Sequence, residues 1–224
     1  MHGRPVSLKV MQAIAHPSTR PLVVVPLRAG KTRLADVLDT EDRARLRAAM
    51  LTDVIAALRG ADCEQIVVAC GDQESATIAH DLDLQVQLDP PDVADLNAAI
   101  ASACAGTPSG QALMVVTADL PSLTAADVRL VLDSRGEVVI APTADGGTGA
   151  LLRRPLAAMD TRYGPGSAAL HTALARDCGL VATIMDLPGF RLDVDTEADL
   201  AEVASALVVG EATVRWLEAT GRRV

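Results

Sequence analysis

The chain has 224 residues, half of them hydrophobic and 22% charged, the size and balance of one or at most two compact domains and too apolar for a disordered chain. Its 29 acidic against 20 basic residues give a formal charge of −9, which repels phosphate backbones and anionic headgroups and so excludes nucleic acid and the membrane surface as partners. Aromatic residues make up 1% of the chain, at Trp216, Tyr163 and Phe190, so no base-stacking platform can be built and the core is aliphatic.

Residues 1–20 carry Arg4, Lys9 and Arg20 with no acid, and Lys9 and Gln12 interrupt any hydrophobic region a signal peptide would need. This segment reads as a flexible arm preceding a single domain over 21–224. Taking its three bases away leaves a net charge of −12 on that domain, so local basic residues stand out there. Leu22–Pro26 is a short continuous apolar run, as expected of a strand buried on both faces of a parallel sheet. Apolar positions at helical spacing predict a helix over Arg43–Leu58, closed by Gly60. Alternation continues with a strand at Gln65–Cys70, a helix near Glu74–His80, a strand at Leu84–Leu88, a helix at Val93–Ala105 and a strand at Ala112–Thr117. Thr124 and Asp127 form a capping box for a helix running to about Leu132. Val138–Ala141 is a further buried strand, followed by a Gly-rich turn and a short strand at Ala150–Leu152. Ser167 opens a helix to about Cys178. Strands near Leu180–Asp186 and Phe190–Val194 follow, and Thr196 with Asp199 caps one last long helix. The order predicts a three-layer α/β domain with a predominantly parallel sheet, whose ligands bind beyond the carboxyl ends of the strands.

Cys63, Cys70, Cys104 and Cys178 form no C-x-x-C pair and lie in apolar stretches, the usage of a reducing cytoplasm. The longest uncharged run, Leu96–Ala118, contains Asn97, Pro108, Ser109, Gly110 and Gln111 and cannot cross a bilayer without stranding polar groups.

Three groups of residues carry chemistry. The first strand ends in Pro26-Leu27-Arg28-Ala29-Gly30-Lys31-Thr32-Arg33. A Walker A motif would need glycine at Val25, so a P-loop is excluded; what remains is a cationic loop able to meet a polyphosphate, or simply a solvated one. Lys31 is the only lysine after Lys9, and a compact ammonium suits such a role. Asp119 stands at the carboxyl end of a strand, and Asp193 and Asp195 are two apart, so in an extended segment both point one way and repel unless a hard divalent ion such as Mg²⁺ lies between them. The plain alternative makes them turn residues before the Thr196 helix. Asp145-Gly146-Gly147-Thr148-Gly149 and Tyr163-Gly164-Pro165-Gly166-Ser167 offer backbone N–H groups, hydroxyls and a helix start to a phosphate or carboxylate, or form ordinary turns. His171 lies four residues beyond Ser167, but without a G-x-S-x-G elbow a hydrolytic pair is set aside.

Taken together in this order over residues 21 to about 203, these motifs, with Leu96-Asn97, Ala118-Asp119-Leu120-Pro121 and Asp193-Val194-Asp195-Thr196, resemble the phosphoenolpyruvate or 2-phospho-L-lactate guanylyltransferases of coenzyme F420 biosynthesis. The resemblance implies a nucleotidyltransferase fold of the nucleotide-diphospho-sugar transferase type, Rossmann-like. It implies transfer of GMP from GTP to the phosphate of a three-carbon acid with release of diphosphate. Thr148, Gly164 and Ser167 would bind phosphoenolpyruvate; Arg28, Lys31, Arg33 and Asn97 would serve GTP; Asp119, Asp193 and Asp195 would hold Mg²⁺. The family often carries lysine where Arg28 stands. The product would pass to the next enzyme of the coenzyme F420 pathway, and a homodimer is open to such a chain. Two other readings stand beside this one: a nucleotidyltransferase for another phosphorylated metabolite, and a catalytically silent nucleotide-binding regulator on the same fold.

Overall fold

The computed structural model of the protein describes residues 20–28, 32–90 and 95–223. Most of the arm expected at 1–20, together with Lys31, lies outside them. The first half of the chain alternates strictly: β1 (Leu22–Leu27), a 3-10 turn (Thr32–Leu34), α1 (Thr40–Gly60), β2 (Ile66–Cys70), α2 (Gln73–Asp81), β3 (Gln85–Leu88), α3 (Leu96–Ala103) and β4 (Leu113–Val116). The second half holds α4 (Ala125–Asp133), β5 (Val138–Pro142), β6 (Thr148–Arg153), a 3-10 turn (Leu156–Ala158), α5 (Ser167–Asp177), β7 (Ala182–Ile184) and three short helices, α6 (Pro188–Arg191), α7 (Glu197–Ser205) and α8 (Glu211–Ala219).

The seven strands form one sheet in the order β3-β2-β1-β4-β6-β5-β7. All pairings are parallel except those of β6, which runs antiparallel between β4 and β5. Alternate residues of β1 explain the three layers. Val23, Val25 and Leu27 face a core shared with α1, α2, α4 and Phe190 of α6, whereas Leu22 and Val24 face the opposite side, packed on Leu96, Ile100 and Ala103 of α3. Helix α5 covers the β5–β6 part of that second face through Ala168, Leu174 and Ala175.

A separate apolar cluster lies beside this sandwich, where Leu34, Leu38, Met50, Val194, Leu200, Val203, Trp216 and Leu217 pack together. It joins the 3-10 turn after β1, the segment carrying Asp193 and Asp195, and the last two helices. Trp216 is only 7% exposed, and the Arg222 guanidinium carbon lies 5.7 Å from its ring centroid.

Two expectations are corrected. Phe190–Val194 is not a strand: Pro188 at the start of α6 favours a helical turn, and Phe190 lies so close over Gly149 that a Cβ there would meet the Phe190 carbonyl at 3.0 Å. The single long helix after Thr196 is two helices. Ala206 turns extended at the end of α7, and Gly210, also extended, donates its N–H to the Pro121 carbonyl (2.7 Å). The N-terminus of α8 has no cap of its own. Asp53, buried in the middle of α1, accepts from the N–H groups of Ala212 (2.9 Å) and Thr213 (2.8 Å) instead.

Candidate active site

The site begins where β1 and β4 part. Leu22 N–H bonds to Ala112 on the β4 side and Val23 N–H to Gln65 on the β2 side, and this alternation turns the nitrogen of Pro26 toward β4. Proline has no hydrogen to give, and the β1–β4 register ends at Val24 and Val115 while β1 stays paired with β2 as far as Leu27 and Cys70. The gap opens at the point where strand order reverses, the place at which α/β sheets bind ligands. A cavity of about 230 Å³ occupies it, lined by Pro26, Arg28, Arg47, Thr117, Asp119 and Asp195 among others.

Arg28 reaches from the end of β1 across Gly71, where a Cβ would meet its guanidinium at 2.9 Å, to Asp89 at the end of β3 (2.5 Å). The Asp89 side chain is 3% exposed, and burial raises its pKa against the opposing pull of Arg28. Arg33 is exposed in the 3-10 turn. Arg47, which sequence reasoning passed over, is buried on α1 and pairs with Glu74 (3.0 Å). Its signal was available: it follows Leu46 on the helix face that Met50 also occupies, where an unpaired charge has no place. Arg28 Nε, Arg47 Nε and Thr117 Oγ1 are buried with no hydrogen-bond partner among the described residues. Polar atoms left unsatisfied around one cleft mark a place where a polar ligand is expected.

The acidic residues gather beside this cleft. Asp119 follows β4, and its carbonyl receives the N–H of Val194 (3.2 Å), which pins the 193–195 segment to the sheet edge while the Val194 side chain plugs the apolar cluster behind. Asp199 Oδ2 accepts from the Asp195 N–H (3.0 Å), the Thr196 N–H (2.7 Å) and the Thr196 hydroxyl (2.8 Å). Asp119 and Asp195 line the first cavity. Asp193 instead lines a neighbouring one of about 700 Å³, together with Asp145, so the two residues of the i, i+2 pair serve adjoining hollows. Burial, then the negative charges of Asp119, Asp145 and Asp195, push the Asp193 carboxyl up to about 7. Hard carboxylate oxygens that repel one another fit a divalent cation chemically, although among the described residues no three acidic, histidine or cysteine side chains are close enough to hold an ion as they stand.

The two glycine-rich loops also converge. Asp145 Oδ1 accepts from the Thr143 hydroxyl (2.5 Å) and the Gly147 N–H (2.8 Å), folding the first loop so tightly that a Cβ on Gly147 would lie 2.6 Å from the Thr143 hydroxyl. Gly166, left-handed at φ 67°, starts α5, and the Ala168 N–H reaches back to the Gly146 carbonyl (3.2 Å). Thr148 and Ser167 are buried with their hydroxyls 2.9 Å apart, and Thr148 Oγ1 is 3.1 Å from His171 Nδ1. Gly164, at φ 145°, accepts from the Ser167 N–H (3.1 Å). Ser167 and His171 therefore do not form a direct pair; Thr148 stands between them. The Asn97 amide clamps this loop from α3, its Oδ1 accepting from the Tyr163 N–H (2.7 Å) and its Nδ2 donating to the Tyr163 carbonyl (3.1 Å). In this structure Asn97 holds the second glycine loop in place.

Known proteins resemble this chain over most of its length. Residues 21–216 match the family model described as guanylyl transferase CofC like. A phosphoenolpyruvate guanylyltransferase of Roseiflexus castenholzii is 35% identical over 181 residues, covering 81% of this chain and 85% of that protein. A 2-phospho-L-lactate guanylyltransferase of Methanothermobacter thermautotrophicus is 37% identical over 188 residues, covering 82% and 81%. Among solved structures, a nucleotide-diphospho-sugar transferase candidate from Desulfovibrio desulfuricans superposes with a TM-score of 0.65 at 16% identity over 90% of this chain and 97% of its own, a likeness of fold.

Proposed function

The chain belongs to the CofC-like guanylyl transferase family and is a nucleotidyltransferase, and from this premise we propose that it transfers GMP from GTP to the phosphate of phosphoenolpyruvate, a step of coenzyme F420 biosynthesis in the cytoplasm. The observation that carries the reading is the cleft between β1 and β4, where Arg28, Arg47, Asp119 and Asp195 line one cavity at the carboxyl edge of the sheet. An oxygen of the acceptor phosphate attacks the α-phosphorus of GTP, a new P–O–P bond forms, and the bond to the β-phosphate breaks to release diphosphate. The acceptor is already an anion, so no side chain has to remove a proton. Arg28 and Arg47, with Lys31 and Arg33 of the basic loop, bind and orient the triphosphate; Asn97 positions the Tyr163–Ser167 loop; Thr148, Gly164 and Ser167 receive the acceptor. Mg²⁺ held by Asp119, Asp193 and Asp195 would supply screening of the two phosphates against each other and stabilisation of the leaving charge. The four cysteines are free thiols, and no described helix is long and apolar enough to cross a membrane, both in keeping with that setting.

Diphosphate release tests the reading directly. GTP with phosphoenolpyruvate and Mg²⁺ should support turnover, with ATP or CTP in place of GTP much slower. Turnover with a sugar phosphate and none with three-carbon phospho-acids would move the chain to another acceptor class, and no release with any acceptor would leave a nucleotide-binding regulator.

A further inference from the structure

His171 is fully buried, one turn into α5, and the proposed reaction makes no use of it. Its two ring nitrogens nevertheless have defined partners. The backbone N–H of Arg162 points at Nε2 from 2.8 Å, and Nδ1 lies 3.1 Å from Thr148 Oγ1. A peptide N–H can only donate, so Nε2 carries the lone pair and the neutral ring carries its hydrogen on Nδ1. Nδ1–H then donates to Thr148. The hydroxyls of Thr148 and Ser167 are 2.9 Å apart and can donate either way between themselves. Once an anionic oxygen sits at Ser167, one arrangement satisfies every hydrogen: His171 donates to Thr148, Thr148 to Ser167, and Ser167 to the anion.

We propose that His171 is a positioning residue for the acceptor site, fixing through Thr148 the direction in which Ser167 presents its hydrogen to the phosphate or carboxylate of the phospho-acid. The inference rests on the acceptor reading given above and adds to it the source of the site's polarity. The ring is held still by its surroundings: the Tyr163 ring stands edge-on to it at 5.0 Å and 74°. Burial, aided by the positive charge of Arg153, lowers its pKa to about 4, so the relay keeps one protonation state across the neutral range. A protonated Nε2 would face the Arg162 N–H donor to donor. The arrangement therefore suits a group that only accepts hydrogen bonds, as a deprotonated phosphate or carboxylate does.

Two variants separate the ring's two jobs. In H171Q the amide can still accept from Arg162 but no longer offers a donor where Nδ1 stood; in H171N an amide N–H remains near that position. H171Q should raise KM for phosphoenolpyruvate roughly ten- to a hundredfold and leave KM for GTP within about twofold, the range set by one hydrogen bond to a charged group. H171N should recover most of that loss. Equal effects of the two variants, or equal shifts in both KM values, would overturn the relay while leaving the guanylyltransferase reading intact. A second measurement needs neither variant nor turnover: the ¹⁵N shifts of the imidazole in the wild-type protein should show the hydrogen on Nδ1 and not on the more usual Nε2. A ring protonated at Nε2 overturns the proposal even if the enzyme is active. The Nδ1–H form in a protein that releases no diphosphate with any acceptor would sustain the hydrogen-bond direction and count against the function.

Discussion

Asp119 and Asp195 are neighbours of like sign whose charges also oppose ionisation of Asp193. Replacing either carboxylate with an amide relieves that repulsion. Asp119→Asn and Asp195→Asn should lose Mg²⁺-dependent turnover by orders of magnitude while the helical circular-dichroism signal of the folded protein is retained. A fall in both together would make these residues part of the scaffold. Asp199 is a different case, because its carboxylate receives the Asp195 N–H as well as closing the capping box on Thr196. Asp199→Ala should cost about 1–2 kcal/mol in urea unfolding, the range for a lost cap, and should also raise the Mg²⁺ concentration needed for half-maximal turnover by loosening Asp195. The thiols divide by burial. Cys63 and Cys70 are buried, and burial raises their pKa to about 11 and about 12, so neither offers thiolate at neutral pH. Cys178 is exposed, and mass spectrometry after brief alkylation of the native protein should find the label there and not on Cys63 or Cys70.

At the scale of elements, α8 is the least expected feature, since its N-terminal amides are capped by a carboxylate more than 150 residues earlier in the chain. Gly210 leaves no room for a side chain, since a Cβ there would collide with the Asp53 carboxylate. Asp53→Ala strands one buried and one partly buried amide and should destabilise the protein by about 2–4 kcal/mol, and Gly210→Ala should do so through collision, both read as a lower urea midpoint. No local pattern could announce this contact: Asp53 reads as one more polar residue in an amphipathic helix. The β-α alternation, by contrast, was legible almost throughout, because buried parallel strands are written as apolar runs and the helices carry their own caps at Thr124 and Thr196. What alternation cannot encode is neighbourhood. The insertion of β6 between β4 and β5 depends on which strand edges are free, and the division of labour between Asp193 and Asp195 depends on how Val194 seats in the cluster behind them. The convergence of the two glycine loops was likewise readable as composition and only the fold supplied the Thr148–Ser167 contact.

For the whole molecule, one buried and one half-buried group act on acid stability in opposite senses. His171 has its pKa lowered from 6.5 to about 4, so the unfolded chain binds the extra proton between these values and stability falls as pH drops through that window. Asp193 is raised from 3.8 to about 7, so the folded protein binds the extra proton there and stability grows as pH drops. Each contribution is on the order of 3 kcal/mol, and together they flatten the wild-type profile between pH 4 and 7. In metal-free buffer Asp193→Asn should expose a loss of stability on acidification from pH 6.5 to 4, and His171→Asn a gain; parallel slopes in the two variants would contradict the assignment. Asp89, also raised, is common to both and drops out of the comparison. The chain contains one tryptophan, and its position gives the protein an optical property. Trp216 shares its apolar cluster with Leu34, the last residue of the 3-10 turn after the basic loop, and with Val194, set between the two aspartates. Its emission is thus a label-free signal from directly behind both charged segments, so a stopped-flow trace recorded on mixing with nucleotide or with Mg²⁺ would time their settling separately from the chemical step.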